Sequence, residues 1–127
     1  MLAEKTEQTR ADVLVVDDDA DIRNLLSSVL AIEGYAVTSA SNGEEALSKL
    51  RGTPGTRLIL LDLRMPVMDG WEFRAEQNRD PMLSTIPVVV LSGDGDLDRA
   101  AASFAGSSVL KKPFDLEELI TVVQRYF

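Results

Sequence analysis

Short, continuous apolar runs recur along this chain, and each is followed by a segment whose apolar residues fall at helical spacing. Val13–Val16 is an unbroken β-branched and leucine run, and Leu58–Leu61 is another. Continuous rather than alternating apolarity marks strands buried on both faces. Pro87–Leu91 is a third such run, with proline at its first position. Tyr35–Ser39 and the short Val109–Leu110 read as two more strands. Between them, Ile22, Leu25, Leu26, Val29 and Leu30 lie on one helical face. Gly34 follows as the candidate helix stop. Helices are likewise expected from Gly43 through Leu50, from Trp71 to about Arg79, from Leu97 to Ala105 and from Leu116 to Tyr126. Strand and helix thus alternate five times. That alternation predicts an α/β fold: one parallel sheet, helices on both faces, right-handed crossovers. The 127 residues suit one domain over 12–127, and the polar, aperiodic residues 1–11 read as a disordered tail.

In an open parallel sheet, sites form beyond the carboxyl ends of the strands. The residues at those ends are therefore the candidates for function. The first strand delivers Asp17, Asp18 and Asp19, the third delivers Asp62, the fourth Ser92 and Gly93, and the fifth Lys112 before Pro113. Carboxylates gathered this closely repel one another unless a cation neutralises them. Mg²⁺ fits, because it takes oxygen ligands, needs few protein carboxylates and keeps waters; Mn²⁺ is a substitute. A carboxylate can attack phosphorus to form an acyl phosphate, and the transferring oxygens then need a metal, an ammonium and a hydroxyl donor in place.

Composition removes most rival chemistries. The chain has no Cys and no His, so thiolate, disulfide and imidazole chemistry are absent. Its net charge is −8, which opposes direct binding to nucleic acid or to anionic membrane. No apolar run is long enough to span a bilayer, and the first residues carry no secretory signal, so a cytoplasmic location is expected.

At this point the sequence resembles the receiver domains of bacterial response regulators, the CheY-like family. The matching stretches are Val15–Asp18, Leu61–Gly70, Val90–Gly93 and Lys112–Phe114, in the family's order. The resemblance implies a doubly wound (βα)5, flavodoxin-like sheet of order 2-1-3-4-5. It implies Asp62 as phosphoacceptor, and Asp17, Asp18 and Asp62 with the backbone carbonyl of Arg64 as the Mg²⁺ ligands. It further implies Ser92 as the hydroxyl switch residue, Lys112 as the phosphoryl-contacting lysine and a cis Lys112–Pro113 bond. Arg64 and Asp94, each two residues past a functional position, stand where the family tunes its rates. Two departures matter. Where the family often has an aromatic switch partner this chain has Val109, and the loop Ala105–Ser108 is one residue short.

Plainer readings compete at each position. Asp19 is read as a helix cap or solvated charge, Asp69 as a cap before Gly70, Lys111 as solvated and Trp71 as packing for the third helix. Asp17, Asp18 and Asp62 are kept as site residues because each follows a buried strand.

The leading function is a signalling switch. A sensor histidine kinase or histidine phosphotransfer protein donates to Asp62, and the phosphorylated domain binds a downstream protein or a second copy of itself through its fourth helix, fifth strand and fifth helix. It is not an enzyme in the usual sense, although it catalyses its own phosphorylation and dephosphorylation. The rival is a receiver-fold interaction module independent of phosphorylation, which Val109 favours and the intact acid, hydroxyl and lysine set opposes. A flavin protein would need a Ser/Thr/Gly-rich phosphate loop after the first strand. An aspartyl phosphatase would want an acid where Arg64 stands.

Overall fold

The structure is a computed structural model and describes residues 11–127; the side chain of Asp94 and the tail residues 1–10 lie outside what is described. Ala11 itself is buried. In chain order the elements are β1 (Val13–Val16), α1 (Ala20–Ile32), β2 (Val37–Ala40), α2 (Gly43–Gly52), β3 (Leu58–Asp62), α3 (Gly70–Arg79), β4 (Val88–Ser92), a 3-10 turn (Asp94–Asp96), α4 (Leu97–Ser103), β5 (Ser108–Lys111) and α5 (Leu116–Gln124). The strands are all parallel, in the order β2-β1-β3-β4-β5. This is the doubly wound sheet that the resemblance implied.

The apolar runs of β1, β3 and β4 divide strictly between the two faces. Leu14, Val16, Ile59, Leu61, Val88 and Val90 face Ala46, Leu47 and Leu50 of α2, Phe73 of α3 and Ala100 of α4. Val13, Val15, Leu58, Leu60, Val89 and Leu91 face Leu26 and Leu30 of α1 and Leu119, Val122 and Val123 of α5. The sheet is therefore sealed on both sides, and functional groups are free to gather only at its edges and ends.

The element boundaries differ from the sequence expectation by a residue or two, for identifiable reasons. β2 starts at Val37 rather than Tyr35 because the Tyr35 N–H bonds back to the Leu30 carbonyl (3.1 Å), while Gly34, at φ +98°, donates to Ala31 (3.0 Å). That pair is a Schellman stop, and it uses the chain that would otherwise extend the strand. Pro87 sits just before β4, where its carbonyl accepts from Ile59 (3.0 Å) and its missing N–H costs nothing. The fourth helix is short, because Asp94–Asp96 forms a separate 3-10 turn and the helix ends at Ser103.

Gly70 opens α3 against the end of β3. A Cβ there would stand 2.8 Å from the Asp62 carbonyl oxygen and 2.9 Å from the Leu63 Cα, both backbone atoms that cannot step aside cheaply. Gly52, the last residue of α2, has nothing within 4 Å of its Cβ position. In denaturant unfolding, Gly70→Ala should lose roughly 1–3 kcal/mol, as overpacked sites do. Gly52→Ala should be neutral or gain up to about 1 kcal/mol from helix propensity. Equal effects at the two positions would contradict this packing.

Candidate functional site

The carboxyl ends of β1, β3, β4 and β5 converge at one edge. β1 pairs with β3 in a register that sets Val16 opposite Leu61, so Asp17 and Asp62 leave the sheet side by side. β3 pairs with β4 so that Asp62 lies opposite Leu91, one residue before Ser92. Lys112 is fixed next to β4 by its backbone N–H, which donates to the Ser92 carbonyl (2.7 Å). The Lys112–Pro113 bond is cis.

Carboxylate oxygens of Asp17, Asp18 and Asp62 lie within 4.8 Å of one another. Asp17 is 1% exposed and Asp62 6%, whereas Asp18 faces solvent. Asp17 accepts from the Asp19 N–H through Oδ1 (2.9 Å), while its buried Oδ2 has no hydrogen-bond donor among the described residues. Lys112 Nζ stands 2.9 Å from Asp62 Oδ1 and 3.6 Å from Asp17 Oδ2. Asp62 Oδ1 also accepts the Leu63 N–H (2.9 Å), so among the described residues both hydrogen bonds to this carboxylate fall on one oxygen.

Burial holds Asp17 above the usual carboxylate range; the hydrogen bond from Asp19 pulls the other way, and the charge of Asp62 adds to the rise more than Lys112 offsets it. Burial alone would push Lys112 down, but its bond to Asp62 and the charges of Asp62 and Asp17 together hold it above the ordinary lysine value. A cluster with more negative than positive charge, and with one buried acceptor oxygen lacking a donor, suits a small hard cation. The residues present therefore fit a Mg²⁺-sized ion.

Other expected site residues stand nearby in different arrangements. Ser92 ends β4 with its Oγ donating to the Gly93 carbonyl (3.2 Å) rather than to Asp62. Val109 pairs in register with Val90 and is half-buried against the α2–α3–α4 side of the core. The backbone of Asp94 opens the 3-10 turn. The Arg64 side chain turns away from the acids and forks onto Asp96, with Nε 2.9 Å from Oδ2 and Nη2 bonded to Oδ1. Arg64 also lies over the ring of Trp71 (5.1 Å), as does Arg99 (3.8 Å). Trp71 thus packs α3, as expected, and carries two cations as well. Sequence reading missed Asp96: Asp94-Gly95-Asp96 looks like a polar turn, and nothing local marks Asp96 as buried. Asp19 caps α1, and Asp69 caps α3 through a reciprocal box with Glu72.

The loop between Asp62 and α3 is strained at one point. Val67, a β-branched residue, sits at φ +68° in a tight turn closed by Met68 N–H to the Pro66 carbonyl (2.7 Å).

Comparisons with known proteins agree with this fold. The family model for the response regulator receiver domain matches residues 13–124. A Leptolyngbya boryana protein, "Uncharacterized 14.6 kDa protein in sodA1 3'region", is 44% identical over 91% of this chain and 88% of its own. The DNA-binding transcriptional regulator NtrC of Salmonella typhimurium is 39% identical over 91% of this chain, which spans 24% of that regulator's length. Among solved structures, Vibrio cholerae chemotaxis protein CheY4 superposes with a TM-score of 0.80 at 32% identity, covering 92% of this chain and 98% of its own. Because the family match runs from the first residue of β1 to the last of α5, over a sheet with the strand order that the resemblance implied, the chain belongs to the response-regulator receiver domain family.

Proposed function

We propose that this domain is a phosphorylation switch in which Asp62 is the phosphoacceptor. The observation that carries the reading is the convergence of Asp17, Asp18, Asp62 and Lys112, one buried carboxylate oxygen being left without a donor. Asp17, Asp18, Asp62 and the backbone carbonyl of Arg64 hold Mg²⁺, with Mn²⁺ as a substitute. When bound, the metal neutralises the carboxylates and the charge on the transferring oxygens. Asp62 Oδ2 attacks phosphorus; the P–N bond of a partner's phosphohistidine breaks and its electron pair returns to the imidazole. Lys112 moves from Asp62 onto a phosphoryl oxygen, and the Ser92 hydroxyl rotates to donate to another. Attack by water on phosphorus later releases inorganic phosphate and restores the carboxylate.

The donor is a sensor histidine kinase or a histidine phosphotransfer protein, since this chain has no His. An apolar groove lined by Ile22, Leu25, Leu26, Phe114 and Leu116 adjoins Lys112, with Leu25 51% exposed, and suits a docked partner helix. The output is a downstream protein or a second copy, bound through α4, β5 and α5 in the cytoplasm. Among the described residues no helix is long and apolar enough to cross a membrane. A phosphorylation-independent binding module is the second reading, and Val109, in place of an aromatic switch partner, is what favours it.

Acetyl phosphate with Mg²⁺ should add one phosphoryl group, roughly 80 Da by intact mass, and neither Asp62→Ala nor metal-free protein should gain it. If beryllofluoride with Mg²⁺ also fails to shift the protein's NMR spectrum, the switch gives way to the second reading.

The electrostatics predict a second behaviour. Because burial raises Asp17 above its unfolded value, the folded state binds the extra proton, and metal-free stability should improve as pH falls through that raised pKa towards the ordinary one. Asp17→Asn keeps the acceptor for the Asp19 N–H and removes the buried charge. At neutral pH without metal it should stabilise by on the order of 1 kcal/mol, a few degrees in Tm, and flatten that pH response. It should also abolish the stabilisation by Mg²⁺ expected in the parent. A lower Tm in the variant would show that Lys112 compensates Asp17 more than burial penalises it.

A further inference from the structure

The two loops that flank the acids are tied together by an ion pair outside the site itself. Arg64 leaves the β3–α3 loop two residues after Asp62; Asp96 ends the 3-10 turn four residues after Ser92. The guanidinium grips both oxygens of the Asp96 carboxylate. The Asp96 side chain is 11% exposed and that of Arg64 70%, so a solvent-facing cation caps a nearly buried acid. The hydrogen bonds and charge of Arg64 hold Asp96 below the usual carboxylate range, with a lesser contribution from Arg99. The planar fork rests on Trp71, whose ring also carries Arg99. Bidentate geometry and the cation–π contact with Trp71 make this pair more specific than an ordinary surface bridge.

The turn it grips is the one that presents Ser92. Ser92 Oγ and the Asp96 N–H both donate to the Gly93 carbonyl, at 3.2 Å and 3.1 Å, so residues 92–96 form one closed unit. In this arrangement the Ser92 hydroxyl is engaged away from Asp62. To reach a phosphoryl group on Asp62 it must leave Gly93, and any movement of the turn that carries it works against the contact of the turn's far end with Arg64.

We propose that Asp96 is a positioning residue: acting through Arg64 on the face of Trp71, it clasps the β4–α4 turn in the resting arrangement and so opposes the movement of Ser92 towards Asp62. This restraint rests on the Asp62 switch proposed above, and it does not require an aromatic residue at Val109. A conformational equilibrium shifts only by the difference in interaction between its two states, so removing a contact made in the resting state must favour the other. Replacing Asp96 by Asn keeps the shape and removes the charge.

The test uses the whole chain with Mg²⁺ in excess and beryllofluoride as the phosphoryl mimic. Binding midpoints are read from the fluorescence of Trp71, the single tryptophan, and from the amide NMR signals of Ser92 and Gly93. Asp96→Asn should bind beryllofluoride roughly five-fold or more tightly than the parent, the lower end of usual coupling strengths. Its Mg²⁺ midpoint without beryllofluoride should stay within about twofold. Arg64→Gln, at an exposed side chain, provides the same test should Asp96→Asn not fold. The double variant should tighten no further than either single change, because both break one contact. An unchanged or weaker beryllofluoride midpoint in these variants, with the parent responding normally, overturns the clasp. A parent that responds to neither Mg²⁺ nor beryllofluoride overturns the site reading itself, and the clasp with it.

Discussion

The parallel register of β1 against β3 holds the fold and the site in one arrangement. Val13 lies opposite Leu58 and Val16 opposite Leu61, so two fully buried strands end at the same level and Asp17 and Asp62 emerge together. A slip of one residue would reverse every side chain between faces. Leu58 and Leu60 would then press against α2 and α3 rather than α1 and α5. The two-sided core thus places the site with the same contacts that stabilise the fold. Gly70, pressed against the Asp62 carbonyl, allows α3 to start close enough to define the loop between them.

The edge so formed stores charge rather than dispersing it. Three carboxylates face one lysine, and the acid at the centre, Asp17, is almost wholly cut off from water. Such an arrangement costs stability in the metal-free protein and suits a small hard cation. The strained turn at Val67 lies on the loop that carries Arg64, so part of the site's surroundings is held under tension. Ser92 and Arg64 are each satisfied by partners other than Asp62, namely Gly93 and Asp96. The site therefore brings together a core of acids and lysine with peripheral groups held aside.

The class of fold and the placement of Asp17, Asp62, Ser92 and Lys112 at the strand ends were legible from the amino-acid sequence. Those are properties of periodicity: continuous apolar runs between helical segments mark strands buried on both faces, and the polar residue that ends each run marks the strand's end. Asp19 and Asp69 were legible as caps, because capping is a local exchange between a side chain and the next turn. Where local rules competed, the reading erred by a residue or two. Tyr35 has strand propensity, yet its N–H serves the helix before it.

The pairing of polar groups at the sheet edge was not legible in this way. Asp94 and Asp96 look alike in the sequence, and it is the packing of the β4–α4 turn against the β3–α3 loop that buries Asp96 and brings it to Arg64. Likewise, nothing near Ser92 in the chain says that its hydroxyl rests on Gly93, or that Trp71 lies beneath two arginines. Arg64 meets Asp96 across 32 positions of chain, and the meeting is set by the distance and burial that the covered sheet imposes. Periodicity and capping act over one or two turns of chain and are written locally; ion pairing and desolvation depend on which segments meet, and that is settled when the two faces of the sheet are covered.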